Sequence, residues 1–293
     1  MKHLTKLFTI LLLFGFGFSF LGSDCSTGTD EPVTPVTVAP AADLTIIVDA
    51  VAGGSSFAIA SWNKSADDLK TDFKGYVAVT YEVNALGENI AKFDSALVLK
   101  TESRKRNITS IARHKRYKTY VYAINNANKL SVPIGSVIFA GVYYNNDGII
   151  DEFKDPSPAR SGYGWNPSTG AGIQYSFASS QFPNIDLHMR MDGTVLTFYS
   201  PKQGDSRARD TKFSQVPGDK QAAFDLVEGL TEPNLSKISA VKDNVYLLKT
   251  QDSIYVKVWV KNIKTTGSGT SAYQTVEFDY KVQPITNMRV VKR

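Results

Sequence analysis

Chemistry at neutral pH needs side chains that titrate, coordinate or attack, and this sequence is thinly supplied with them. Of its three histidines, His3 belongs to an apolar amino-terminal stretch, which leaves His114 and His188. A histidine-based metal centre or a Ser-His-Asp triad needs several imidazoles, or a base with an orienting partner. No Gly-x-Ser-x-Gly elbow and no phosphate-cradling Gly-rich loop ahead of a helix occurs in the chain. Asp151, Glu152 and Asp155 cluster without a spacing that would set an acid against a base. The expectation is a protein that is not an enzyme.

Four segments remain that could contact a ligand. In Ile185-Asp-Leu-His188-Met189-Arg-Met191, strand alternation would put His188 on the face opposite Met189 and Met191. His and Met are axial ligands of haem iron, so a haem site built on His188 with Met189 or Met191 is one reading. The other is a half-exposed strand with its methionines facing the core. In Tyr143 to Glu152, Asn145, Asp147, Gly148 and Asp151 match positions three, five, six and nine of a calcium loop. Position one is Tyr143 and position twelve Lys154, which leaves the loop short of the six to eight oxygens a hard cation wants. Asn-Asp-Gly is also a turn signal, and a plain turn between domains is the expectation. Gly162-Tyr163-Gly164-Trp165-Asn166 reads as a Gly-rich loop whose Tyr163 and Trp165 either present contact surface to sugars or peptides or plug the second domain. Arg104-Lys105-Arg106, with Arg113-His114-Lys115-Arg116 and Lys118, is the largest charge cluster. It either meets anionic headgroups or acidic polysaccharide, or solvates a sheet edge and discourages edge-to-edge pairing.

The elements that would carry these segments begin after an export signal. Lys2 and Lys6 precede an uncharged apolar run from Leu7 to Leu21, shorter than the roughly 20 residues of a membrane span and suited to a secretory leader over residues 1–24. Cys25 is the sole cysteine, so an internal disulfide is excluded. Its place just beyond the leader resembles the lipobox of bacterial lipoproteins, with Leu21 four rather than three residues upstream and Asp24 an unusual neighbour. That resemblance implies acylation of Cys25, a membrane partner through the lipid, and residence at the bacterial outer membrane or cell surface. Without acylation, a periplasmic or secreted protein is expected. Residues 25–42 are Thr/Pro-rich and read as an extended tether.

The 293 residues are 42% hydrophobic and rich in Tyr, Phe, Val and Thr, a strand-forming composition. The net charge of +5 is too small to argue for nucleic acid. Short alternating runs at Leu44–Val48, Phe57–Trp62, Tyr76–Val83, Ala96–Leu99, Ile108–Ile111 and Tyr117–Ile124, separated by turn residues, predict a β-sandwich over residues 43–141. This region resembles a fibronectin type III domain. Trp62 stands where that family buries a second-strand tryptophan. Gly75-Tyr76-Val77 opens its third strand, and Ser131-Val132-Pro133 leads into its last. Ile111-x5-Tyr117-x3-Val121-x-Ala123-x-Asn125 is similar to the family's E–F corner, with Tyr117 as the corner tyrosine and Arg113 and Lys115 where Pro and Thr are common.

Residues 142–293 predict further strands at 172–177, 185–191, 194–199, 245–250, 254–260 and 274–282, and one helix over Asp219–Glu228. This gives an all-β protein: an immunoglobulin-like sandwich followed by a mostly antiparallel β domain with one short helix. The stretch from Val245 through Asp252, Tyr255 and Lys257 to Val260, ending in Val276-Glu-Phe-Asp-Tyr280, resembles the carboxy-terminal strands of HmuY-type haem-binding lipoproteins. Function is therefore expected to be non-catalytic capture or presentation of a surface glycan or protein by the second domain, with haem binding or a spacer role as alternatives. No cofactor is required by the sequence.

Overall fold

In the first β region, sequence alternation becomes a closed sandwich. The computed structural model describes residues 37–154, 160–225 and 230–288. Its opening strands are β1 (Ala42–Ala50), β2 (Ser56–Asn63), β3 (Phe73–Val83), β4 (Asn89–Leu99), β5 (Lys105–Ile111), β6 (Arg116–Asn125), β7 (Ile134–Gly135) and β8 (Phe139–Ala140). They form an antiparallel β1-β2-β5 sheet facing a β4-β3-β6-β7 sheet, with β8 also paired to β6. Ala58, Ala60 and Trp62 alternate inward from β2, and Tyr117, Thr119, Val121 and Ala123 from β6. Small residues facing large ones let the layers interdigitate. Trp62 lies edge-on to Tyr76 at 5.7 Å. The Tyr117 hydroxyl accepts a hydrogen bond from the Ala112 amide at 3.1 Å, closing the corner that leads into β6. Strand order, buried tryptophan and corner tyrosine together give the fibronectin type III arrangement.

Residues 37–42, expected to belong to an extended tether, pack against the first sandwich. Val38 and Ala41 are buried in the first core. The Ala39 amide donates to Asp67 Oδ2 at 2.9 Å, and its carbonyl accepts from Ser65 Oγ at 2.6 Å. Two modest apolar residues and a pair of backbone hydrogen bonds suffice to dock the chain from Thr37 onward. Cys25 and the other residues expected to form a leader and tether, up to Val36, lie outside the described residues.

The second region is a larger sandwich built from β9 (Tyr143–Asp151), β10 (Gly162–Trp165), β11 (Gly172–Tyr175), β12 (Leu187–Asp192), β13 (Val195–Tyr199), β14 (Lys212–Val216), β15 (Lys237–Ser239), β16 (Val245–Lys249), β17 (Tyr255–Thr266) and β18 (Tyr273–Gln283), with helix α1 (Lys220–Asp225). Sheet β11-β10-β12-β13-β15 packs on sheet β14-β16-β17-β18-β9 around Leu187, Met189, Phe198, Leu248, Val258, Phe278 and Tyr280. The second sheet is buried on both faces. Its outer face is covered by α1 and the first sandwich, through Phe224, Leu247, Tyr255 and Trp259, in a cluster that also holds Trp62 and Tyr117. Burial on both faces explains why β16 and the first half of β17 read as mostly apolar runs, while β18 keeps Val276, Phe278, Tyr280 and Val282 in alternation with polar residues. Even Lys257 is fully buried, its Nζ donating to the Phe224 carbonyl at 3.1 Å.

The two sandwiches are also joined by polar contacts. The Val142 amide donates to Ser56 Oγ at 2.9 Å, Gln283 Nε2 to the Gly141 carbonyl at 3.0 Å, and Lys281 Nζ lies 3.2 Å from Asp49. No described helix is long and apolar enough to cross a membrane.

Candidate binding cleft

The site residues anticipated from sequence are placed in three different environments. Tyr163 and Trp165 lie in β10 and not in a loop, 2% and 3% exposed. Tyr163 packs edge-on to Phe278 at 5.0 Å and lies 5.3 Å from Trp165. A glycine on the neighbouring strand permits this burial: a Cβ on Gly172 would sit 2.3 Å from the Tyr163 hydroxyl. Both side chains belong to the second core, and Trp165 also reaches the edge of the cleft described below.

His188 and Met189 occupy opposite faces of β12, as alternation required, yet both are buried. Met189 is in the second core, while His188 is stacked on Phe177 at 3.8 Å and edge-on to Phe153 at 5.3 Å. Met191 is 36% exposed at the far end of the strand. The three therefore do not converge on one point where haem iron could be held. Burial drives the His188 pKa down to about 4, with the Ser161 carbonyl at 3.3 Å opposing and Arg190 adding to the fall.

The segment expected to be a plain turn between domains, with a calcium loop as the other reading, is an edge strand. Gly148 pairs with Phe278 and Asn145 with Tyr280, so β9 carries one extra residue there, and Asn146 and Asp147 form a bulge. A Cβ at Gly148 would meet the Phe278 ring at 2.4 Å, so glycine serves close packing at this position instead of a turn. Asp151 is turned inward, held by Arg160 at 2.9 Å and Thr275 Oγ1 at 2.8 Å. Among the described residues no group of three or more His, Cys, Asp or Glu side chains is arranged to hold a metal ion. The basic run is partly neutralised: Arg106 forms a two-pronged pair with Asp94, and Lys115 pairs with Glu82 at 2.7 Å.

What the fold does assemble is a cleft of about 310 Å3 at the β10–β11 end of the second sandwich, lined by Trp165, Asn166, Ile173, Tyr175, Asn184, Asp186, Arg209 and Asp252. Asp186 leaves a 3-10 turn (Phe182–Asn184) just ahead of β12 and is 1% exposed. Its Oδ2 accepts from the Trp165 amide at 2.9 Å and its Oδ1 from Arg209 Nε at 2.7 Å. Arg209 then reaches Asp252 through Nη2. Burial pushes the Asp186 pKa up to about 6, against the pull of Arg209 and the Trp165 amide. The result is a buried carboxylate, a largely buried guanidinium and a partly exposed second carboxylate in series, beside half-buried Tyr175 and exposed Ile173. Such a lining offers hydrogen-bond acceptors and donors next to an apolar and aromatic wall, the usual mix of a small-ligand site. No short motif links Asp186, Arg209 and Asp252 in sequence, and strand-by-strand reading had no signal for them.

No protein-family model matches this sequence, and no curated protein does. Among solved structures the chain is similar to one described as a myokine structure, with 15% identity over 35% of this chain and 96% of that one, at a TM-score of 0.25. It is similar also to the kinase region of twitchin from C. elegans, with 10% identity over 83% of this chain and 40% of that one, at 0.28. Titin kinase with its flanking domains shows 9% identity over 83% and 37%, at 0.27. The chain thus spans well under half the length of those two kinase-containing chains. Superpositions this loose carry no argument about function, and the class of the protein rests on its own strand order and corner.

Proposed function

We propose that this chain is an exported, lipid-anchored protein of the bacterial envelope that captures or presents a surface glycan without catalysing a reaction. The observation that carries the ligand reading is the cleft in which Asp186, Arg209 and Asp252 stand beside Tyr175 and Ile173. Sugar hydroxyls pair with carboxylate, amide and guanidinium groups, while the C–H faces of a pyranose pack on aromatic and aliphatic side chains. The leader, Cys25 and the Thr/Pro-rich stretch that follows support the anchoring reading, which would hold the paired sandwiches off a membrane.

Two experiments test the two halves separately. The folded chain from Thr37 onward, applied to a glycan array, should bind a defined set of neutral or basic saccharides, and Asp252→Ala or Tyr175→Ala should weaken that binding at least ten-fold. An array without hits, or hits unaffected by both variants, would refute the cleft as the ligand site. Independently, cells fed an alkyne-tagged fatty acid should label the wild-type chain and not Cys25→Ala. Equal labelling of the two would refute acylation at Cys25.

A further inference from the structure

A second cleft, of about 370 Å3, lies where the two sandwiches meet, and its chemistry is opposite to that of the first. Its walls carry the hydroxyls of Ser55, Ser110, Ser168 and Thr169 together with Arg113 and His114, and no carboxylate is among the residues that line it. Apart from Arg113, these six residues are all exposed. Ligand sites form preferentially at such junctions, because two rigid bodies bring groups together that neither could position alone.

Each wall is fixed by local structure. On the first sandwich, β5 has one residue more than β2 between the pairs Ser56–Ile111 and Ala58–Ile108. This bulge holds Ser110 at φ 58°, a left-handed conformation unusual for a residue with a Cβ. Arg113 donates through Nε to the Val142 carbonyl and through Nη2 to that of Gly54, and stacks 4.8 Å from the Tyr143 ring centre. A guanidinium has five N–H groups, so these contacts immobilise it and leave donors over. On the second sandwich, Asn166 Oδ1 accepts from the amides of Ser168 at 2.9 Å and Thr169 at 3.0 Å. Gly170, at φ 80°, lets the same loop press on Tyr143, where a Cβ would come within 2.7 Å of the ring-bearing carbon. The site needs little rearrangement to be filled, which lowers the entropy cost of binding.

From this geometry we infer a second binding site, at the junction, for a saccharide bearing a phosphate or sulfate group. Arg113 and His114 face the oxyanion, charge-assisted hydrogen bonds from a fixed guanidinium being strong and directional. The four hydroxyl side chains pair with the sugar hydroxyls, and the volume exceeds what a bare oxyanion would occupy. The two clefts share the loop that carries Asn166, but the side chains offered to a ligand differ, so either site can fail without the other.

The test follows backbone amide shifts of the chain from Thr37 onward while glucose 6-phosphate, inorganic phosphate and glucose are added separately. Glucose 6-phosphate should move the amides of Ser55, Ser110, His114, Ser168 and Thr169 saturably, and bind at least five-fold more tightly than inorganic phosphate. Glucose should leave them unmoved. His114→Ala and Ser168→Ala, both surface changes, should each weaken glucose 6-phosphate binding three-fold or more with an unchanged melting temperature. No saturable shift at these amides, an affinity equal to that of inorganic phosphate, or wild-type binding by both variants would overturn the assignment.

Discussion

Replacing His188 by phenylalanine should change how stability responds to acid, and the size of the change follows from where the ring sits. His188 is 1% exposed and packed between Phe177 and Phe153, which holds its folded-state pKa near 4 against an ordinary 6.5. A depressed base binds fewer protons folded than unfolded between those values. Its contribution is therefore intact above about pH 6.5 and is lost as the pH falls toward 4. At 1.36 kcal/mol per pKa unit the full loss is about 3 kcal/mol, of which about 2 kcal/mol falls between pH 7 and pH 5. Asp186 has the opposite sign: its pKa is raised from 3.8 to about 6, so its contribution is present at low pH and is lost as the pH rises through 6. The two oppose one another across the same window, which flattens the wild-type profile and makes the variant the informative protein. Urea unfolding at pH 7 and pH 5 should show His188→Phe gaining about 2 kcal/mol relative to wild type on acidification. Parallel profiles for the two proteins would refute the reasoning that His188 is buried and neutral.

Three further outcomes follow from the packing. Tyr117→Phe removes the 3.1 Å hydrogen bond from the Ala112 amide and should cost about 1 kcal/mol in urea unfolding with the fold retained. Asp186→Asn removes one charge of a buried pair 2.7 Å apart and should cost about 3 kcal/mol at pH 7 and about 1 kcal/mol more at pH 5, where the wild-type carboxyl contributes the stability that it loses as the pH rises through 6, as read from melts at both pH values. Phe224→Ala empties a position in the core shared by both sandwiches and should cost about 3–5 kcal/mol. Hydrogen exchange should then accelerate in β1 and β2 as well as in β16 and β17, whereas acceleration confined to the second sandwich would show the two cores to be uncoupled.

The sequence by itself determined the local periodicity, and with it the all-β class. Alternation in Leu44–Val48 and Tyr117–Ala123, imperfect at Ile47 and Tyr120, assigns each side chain to a face, because a strand has a two-residue period. The opposition of His188 to Met189 was legible for the same reason, whereas the corner tyrosine and the second-strand tryptophan were legible from the resemblance to fibronectin type III domains. Tertiary structure decided everything that depends on what lies opposite a face. Gly148 and Gly162-Tyr163-Gly164 carry the composition of turns and loops, yet they are strands, since their missing Cβ atoms make room for Phe278, Ile185 and the Asn184 carbonyl across the sheet. His188 could be placed on a face from sequence, but not beneath Phe177. Asp186, Arg209 and Asp252 meet across gaps of 23 and 43 residues, and Ser110 faces Ser168 only because two sandwiches share a core. Periodicity is a property of neighbours along the chain, whereas a binding cleft is made by neighbours in space.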